Sequence, residues 1–167
     1  RTKLEGEQRI QQSGCKHLIL RTSWVYAARG GNFAKTMLRL AQERESLSVI
    51  NDQMGAPTGA DLLADISAQA IPRLLAQAKL GGLYHLAAAG ETSWHGYARH
   101  VFAAARQQGI KLQLRDEMLT AIPSSDYKTA AQRPLNSRLN CDRLKSNFGL
   151  YLPHWTVGVN RMLAETL

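Results

Sequence analysis

The sequence has little cysteine, no long apolar run and no glycine-rich nucleotide loop. Its two cysteines, Cys15 and Cys141, lack the spacing of a metal site or a disulfide framework and are typical of reduced thiols in a cytoplasmic protein. No stretch reaches the roughly 18 apolar residues of a membrane span, so we expect no membrane insertion. Neither a Gly-x-Gly-x-x-Gly loop after a strand nor a Walker-type loop is present. This chain alone is therefore not expected to enclose a dinucleotide pyrophosphate.

The charge balance is basic, with 21 Lys and Arg residues against 13 Asp and Glu residues and a net charge of +8. The basic residues are scattered, without a block of like charges or interleaved aromatics, so we expect no nucleic-acid partner. An anionic small substrate explains the excess equally well, as does an acidic part of a longer protein. An apolar content of 44% with 20% charged residues is typical of a globular domain.

Apolar spacing and cap residues predict alternating helices and strands. Helices are predicted over 2–13, from the Asn32 cap, from about Ala60, from Thr92 or Ser93 to about Gln108, over 140–148 and from Pro153. Short apolar runs predict strands at 17–21, 47–50, 82–86 and 110–114, with a loop over 51–59. Pro72 is expected to kink or split the third helix. The alternation predicts an α/β fold with mainly parallel strands.

An ordered set of short motifs runs through the whole chain. It begins in a helix with Arg1-Thr2-Lys3 and continues with Leu20-Arg21-Thr22-Ser23-Trp24-Val25-Tyr26. There follow Gly31-Asn32-Phe33-Ala34-Lys35-Thr36-Met37, Val49-Ile50-Asn51-Asp52-Gln53 with Gly55-Ala56-Pro57-Thr58, and Arg133-Pro134-x-x-Ser137-x-Leu139. Each motif is weak alone, but the ordered set resembles the extended short-chain dehydrogenase/reductase family. Within that family it looks like the reductases that act on dTDP-4-dehydro-β-L-rhamnose.

The resemblance implies the C-terminal part of an NAD(P)-binding Rossmann-type fold plus a smaller substrate-binding region. Residues 1–59 would form the end of the dinucleotide-binding domain, and residues 60–167 mostly the substrate-binding region with interleaved helices and strands. The implied activity of a full-length protein is reduction of dTDP-4-dehydro-β-L-rhamnose to dTDP-L-rhamnose with NADPH or NADH, for O-antigen and other cell-surface polysaccharides. Because the chain begins inside a helix, we expect it to be part of such a protein, inactive and poorly stable alone.

Lys3 matches the lysine of the family's Tyr-x-x-x-Lys pair. Four-residue spacing puts both side chains on one helix face, where the ammonium lowers the pKa of the phenol and contacts the nicotinamide ribose. None of the five tyrosines in this chain is followed by a lysine four residues later, so the partner is expected upstream of residue 1. Without the resemblance, an exposed lysine near a chain end explains Lys3 better.

The resemblance also implies contacts with the cofactor and the sugar. Thr22 and Ser23, together with Lys3, would lie beside the nicotinamide, and Trp24 would contact the deoxysugar. An indole offers a sugar ring an apolar face and one hydrogen-bond donor. The alternative for Trp24 is a core indole that follows a buried strand.

Three further residues are candidates for binding the sugar nucleotide. Asn32 and Gln53 could form hydrogen bonds with the sugar or the base, but loop structure explains them nearly as well. Arg133 could pair with the diphosphate through its planar guanidinium. A surface arginine before a proline is the alternative for Arg133.

The family is also associated with Mg²⁺ held by carboxylates where two subunits meet, which implies a homodimer. The matching positions are Asp61, where a glutamate is common, and Glu165, and the remaining ligand would lie upstream. Asp61 is equally explained by an acidic first turn that complements the helix dipole. Glu165 is equally explained as a solvated residue of a terminal helix.

Two other functions remain open at this point. One is a non-catalytic subunit of the same fold that binds a nucleotide sugar or regulates another protein, and the other is a different nucleotide-sugar reductase or epimerase. The residue four positions before Lys3 separates the enzyme from the binding module, because only a tyrosine can donate the proton.

Overall fold

The computed structural model describes residues 2–127 and 133–167, in which helices alternate with short strands. The helices are α1 Thr2–Gln12, α2 Phe33–Glu43, α3 Ala60–Ala76, α4 Trp94–Gln107, α5 Asp142–Phe148 and α6 Trp155–Thr166. The strands are β1 Leu18–Arg21, β2 Val25–Tyr26, β3 Leu47–Ile50, β4 Met54–Gly55, β5 Thr58–Gly59, β6 Gly82–His85, β7 Thr92–Ser93 and β8 Leu119–Ile122. This arrangement confirms the α/β class.

Strand pairing is mainly parallel, as predicted. β1 pairs with β6 in register from Leu18 opposite Gly82 to Arg21 opposite His85. β2 pairs with β5 and β3 with β8, also in parallel, whereas β4 and β7 are antiparallel. Three of these pairs join strands on opposite sides of residue 59. The division into residues 1–59 and 60–167 stays a prediction.

Local capping interactions set the predicted helix ends. The Asn32 side chain accepts a hydrogen bond from the Lys35 amide at 3.0 Å and begins α2. Ser93 accepts one from the Gly96 amide at 2.9 Å and begins α4. Gly149 ends α5 with φ of 55°, a left-handed conformation that glycine adopts without steric cost.

Residues 110–114 do not form the predicted strand. The Ile110 amide donates to Ala105 O at the end of α4, and the Gln113 and Leu114 amides donate to Ala41 O. Because these amides bond to the ends of helices, they are not available for pairing with a strand. The alternating pattern of the segment therefore does not produce one. The strand falls later, at β8, where the sequence analysis placed none.

Two smaller predictions also need correction. The predicted loop over 51–59 contains the two short strands β4 and β5. Pro72 does not split the third helix, because α3 continues from Ala60 to Ala76 around it. Within the described residues, no helix is both long and apolar enough to cross a bilayer.

The core consists of two apolar clusters. The first packs α2, α4 and α6 against β3 and includes the fully buried Tyr97, Phe102 and Val159. The second packs α3 and α5 against β6 and includes Tyr84 and Phe148. Burial of apolar surface of this kind is the main favourable contribution to folding. The clusters fix the strands whose ends carry the candidate site.

Helix α1 is attached to β1 by a charged pair. Arg21 donates from Nε to Glu7 Oε1 at 2.9 Å and from Nη2 to Oε2 at 2.5 Å. No described residue of α1 is buried, so this two-point contact is a main link between the helix and the strand. The Arg21 hydrogen bond lowers the pKa of Glu7 below its usual 4.5.

We expect Glu7→Gln to loosen α1 in the full-length protein that contains this chain. Amide hydrogen exchange in residues 2–12 should become faster at neutral pH, because a neutral amide accepts a weaker bond from Arg21. The folded-state pKa of Glu7 is lowered, so its contribution is present above the ordinary value and lost as pH falls through the lowered one. Glu5→Gln is the matched control, since Glu5 pairs only with Arg9 at the surface. Equal exchange in both variants would contradict the attachment.

Candidate functional site

A pocket of about 310 Å³ opens at the carboxyl ends of β1 and β6. Its walls are mostly small: Ser23, Gly55, Ala56, Ala87, Ala88, Gly90, Glu91, Ser137, Arg138 and Leu139. The carboxyl ends of parallel strands are the usual position of ligands in α/β folds, and this volume lies within the range of small-molecule sites. We call this the carboxyl-end pocket.

Two interactions fix the polar walls of the carboxyl-end pocket. Ser23 donates from Oγ to the backbone oxygen of Ser137 at 3.2 Å. Arg138 forms a two-point pair with Glu91, with Nη2 donating to Oε1 at 3.0 Å and Nε contacting Oε2. The pocket therefore joins the segment after β1 to the segment around Ser137, both of which belong to the quoted motifs.

A second cavity of about 580 Å³ shares part of that wall, including Ala87, Ala88 and Leu139. Its polar lining includes Lys145 and His154, and it also contains Cys141. Burial raises the pKa of the Cys141 thiol, which keeps it protonated and unreactive near neutral pH. The two cavities are therefore neighbours beside the strand ends.

Trp24 has its indole enclosed on both faces. A Cβ built on Gly55 would lie 2.7 Å from Cε2 and 3.0 Å from Nε1 and Cζ2 of Trp24, directly above the ring plane. Trp94 stacks on the indole with a centroid distance of 3.7 Å and an interplanar angle of 14°. If Trp94 lay on the same face as Gly55, its atoms would be among those nearest to the built Cβ, but the three nearest atoms all belong to Trp24. Trp94 therefore covers the opposite face of the indole. The edge of Trp24 is the part left for a ligand.

Asn32 and Gln53 use their amide groups within the protein. Asn32 Nδ2 donates to Ala27 O at 2.7 Å while its oxygen caps α2. Gln53 is buried, and its Nε2 donates to Ser124 Oγ at 2.9 Å while its Oε1 accepts from Trp94 Nε1 at 3.2 Å. Neither side chain lines the carboxyl-end pocket. Their predicted ligand contacts are not tested by this geometry.

The predicted cofactor residues differ in position. Lys3 is exposed on α1, and Thr22 is exposed directly after β1. Ser23 alone of the three lines the carboxyl-end pocket. Burial raises the pKa of Tyr26 and Tyr97 well above the usual range, which is the wrong direction for proton transfer near neutral pH. Neither of these tyrosines fits the role of the tyrosine that the sequence analysis expects beside Lys3.

The two predicted metal ligands contact an arginine. Arg161 lies 3.4 Å from Asp61 through Nη1 and 3.2 Å from Glu165 through Nε. Within residues 2–127 and 133–167 there is no group of three His, Cys, Asp or Glu side chains that could hold a metal ion. A guanidinium between two carboxylates does not fit a divalent cation, so no chemical step is derived through a metal.

Arg133 is exposed and does not line the carboxyl-end pocket. The arginine that does is Arg138, which the sequence analysis did not single out. Trp94 and Gly55 were also missed, because their importance depends on contacts with Trp24 across the chain. Gly55 and Ser137 do belong to the quoted motifs, and Arg138 directly follows Ser137. Membership of these motifs was therefore the feature of the sequence that could have pointed to Gly55 and Arg138.

These features define an α/β domain with a candidate ligand pocket at the ends of parallel strands. Residues 1–167 match the family described as RmlD substrate binding domain. The chain belongs to this family.

Several similar curated proteins are dTDP-4-dehydrorhamnose reductases. The one from Salmonella typhimurium is 59% identical over 99% of this chain and 54% of its own length. The one from Burkholderia thailandensis is 41% identical over 99% of this chain and 57% of its own length. The chain thus spans about half the length of the curated relatives it matches.

Solved structures agree with these relatives. A dTDP-4-dehydrorhamnose reductase from Bacillus anthracis in complex with NADP superposes with a TM-score of 0.80 at 35% identity, covering 98% of this chain and 54% of that one. An orthologue from Clostridium acetobutylicum gives a TM-score of 0.84 at 29% identity, with 98% and 53% covered. The Rossmann-type relationship expected from the sequence is confirmed.

We expect Gly55→Ala to destabilise the full-length protein by about 1–3 kcal/mol, because the new methyl group would overlap the Trp24 ring. Urea denaturation measures this change in the free energy of unfolding. Gly6→Ala is the control, since a Cβ there meets nothing within 4 Å, and helical alanine should stabilise by about 0.5–1 kcal/mol. A Gly55→Ala variant as stable as Gly6→Ala would contradict the enclosed position of Trp24.

Proposed function

We propose that this chain is the substrate-binding part of a reductase that converts dTDP-4-dehydro-β-L-rhamnose to dTDP-L-rhamnose with NADPH or NADH. The observation that carries the proposal is the 59% identity that extends over 99% of the chain, Lys3 included in its span. The carboxyl-end pocket supports it, because small walls at parallel strand ends suit a ring-shaped ligand. The product, dTDP-L-rhamnose, would supply the synthesis of O-antigen or other cell-surface polysaccharides.

The nicotinamide cofactor supplies the hydride for the keto carbon when it is bound. Ser23 and the small residues around it fit the nicotinamide end, since they leave space and one hydroxyl at the strand ends. Lys3 lies four residues after the position of a tyrosine that would give a proton to the substrate oxygen. Its ammonium favours the ionised phenol and so eases that transfer.

Sugar recognition is assigned to the segment after β1. Trp24 contacts the deoxysugar through its edge, which carries the Nε1–H donor, because both ring faces are covered. Thr22 lies beside it, and Arg133 supplies a planar cation for the diphosphate. Asn32 and Gln53 support the loops around the site, since their amides are already bonded within the protein.

A cytoplasmic location and a homodimer are part of the proposal and follow from the family resemblance. Magnesium is not part of it, because Arg161 contacts both candidate carboxylates, Asp61 and Glu165.

We expect Lys3→Ala in the full-length protein to lower kcat for reduction of the keto sugar by about 10²–10⁴-fold, the usual contribution of acid–base groups. Turnover is followed by NADPH absorbance with dTDP-4-dehydro-β-L-rhamnose as the substrate. Lys111→Ala, an exposed lysine between α4 and β8, is the control and should keep wild-type turnover.

The same assay separates the alternatives. A wild-type protein that binds the dTDP-sugar without oxidising NADPH would be a binding module, and the proposed reaction would be wrong. Wild-type turnover in Lys3→Ala would instead remove Lys3 from the mechanism.

A further inference from the structure

Trp24 has an unfavourable backbone conformation. Among the residues that the structure describes, it is the one non-glycine residue with positive φ, at 51°. Such a conformation is unfavourable for an ordinary residue and persists only where the surroundings enforce it. Residues of this kind concentrate at ligand sites, so the contacts that enforce the conformation of Trp24 bear on function.

Three contacts enforce it. Gly55 lies against one face of the indole, with no room for a side chain. Trp94 stacks on the other face at 3.7 Å. The backbone oxygen of Trp24 accepts from the Thr58 amide at 3.1 Å. Of these, the stack is the contact that fixes the tilt of the ring.

Trp94 is in turn fixed by a chain of hydrogen bonds. Its Nε1 donates to Gln53 Oε1 at 3.2 Å, and Gln53 Nε2 donates to Ser124 Oγ at 2.9 Å. Ser124 Oγ donates to Asp52 Oδ1 at 2.5 Å, and its amide donates to Oδ2 at 2.9 Å. These bonds lower the pKa of Asp52, so the chain ends on a carboxylate that stays charged at neutral pH.

Each polar atom of the Gln53 amide already has a partner within the protein. Gln53 is 7% exposed. Its amide nitrogen donates to Ser124, and its amide oxygen accepts from Trp94. A buried amide with both partners satisfied is costly to disturb. Burial and the direct bond to Trp94 make Trp94 the route by which Gln53 acts on a ligand.

We propose that Gln53 and Trp94 are positioning residues that hold the edge of Trp24 against the sugar. This inference rests on the proposed function, in which Trp24 contacts the deoxysugar. Gln53 orients Trp94, Trp94 orients Trp24, and only Trp24 touches the substrate.

A purely structural role for Trp94 makes a different prediction. Trp94 also packs against Phe33, with ring centroids 4.7 Å apart, so its loss could affect the apolar core alone. If Trp94 acts only in the core, its loss lowers the stability of the protein and weakens the binding of the sugar nucleotide and of NADPH alike. A positioning role raises KM for the sugar nucleotide and leaves KM for NADPH unchanged.

The test compares Gln53→Leu, Trp94→Phe and Trp94→Leu in the full-length protein. Trp94→Phe keeps an aromatic stack and loses the N–H donor, so it should be milder than Trp94→Leu. We expect Gln53→Leu and Trp94→Leu to raise KM for dTDP-4-dehydro-β-L-rhamnose about tenfold, as expected for a misplaced contact. The exciton-coupled circular dichroism of the Trp24–Trp94 pair should vanish in both Trp94 variants and weaken in Gln53→Leu.

Tyr97→Phe is the matched control. Its ring belongs to the same aromatic cluster, and its hydroxyl is buried without a hydrogen-bond partner among the described residues. Removing that hydroxyl should leave both KM values and the exciton signal unchanged.

The outcomes separate this inference from the proposed function. An altered exciton signal with unchanged sugar KM in Gln53→Leu and Trp94→Leu would overturn the positioning role, while wild-type turnover would keep the proposed function. Equal increases of KM for sugar and NADPH would also overturn it in favour of a core role. A wild-type protein without reductase activity would refute the proposed function itself, and this inference with it.

Discussion

Parallel pairing between β1 and β6 is the constraint on which the candidate site depends. The register carries Arg21 opposite His85, and the Leu86 amide continues the ladder by donating to Arg21 O at 2.8 Å. Both strands therefore end at the same edge, and the segments that follow them form two walls of one pocket. A shift of one residue would turn every side chain of a strand to the other face and would remove Ser23 from that pocket.

The close packing of Trp24 has a consequence for recognition. A sugar usually contacts an indole through its face, but Gly55 and Trp94 occupy both faces here. What the protein presents is a rigid edge with one donor, and a rigid donor loses little entropy when a ligand binds. The strain at φ of 51° is thus compatible with function, because the same contacts that enforce it also pre-organise the indole.

Local features of the fold could be predicted from the sequence, and non-local features could not. Asn32, Ser93 and Gly149 mark helix ends because a cap bonds to residues only three or four positions away. β8 was missed because Leu119–Ile122 becomes a strand only beside β3, far away in the sequence. The candidate site divides in the same way. Ser23, singled out from a local motif, lines the carboxyl-end pocket, whereas the sequence does not show whether the Gln53 amide meets a ligand or Trp94. Sequence alone does not record which partner an amide finds.

The residues proposed for recognition and for chemistry are held in place by different interactions. Trp24 is fixed by packing and by hydrogen bonds that lead to the buried Gln53. Lys3 lies on α1, which has no described buried residue and is held to β1 by the Glu7–Arg21 pair, whose arginine side chain is 45% exposed. Such a pair is weakened by salt and by acid, whereas apolar stacking is not. The packing of Trp24 should therefore persist at high salt, or at a pH below the lowered pKa of Glu7, where the attachment of α1, and with it the position of Lys3, is already weakened.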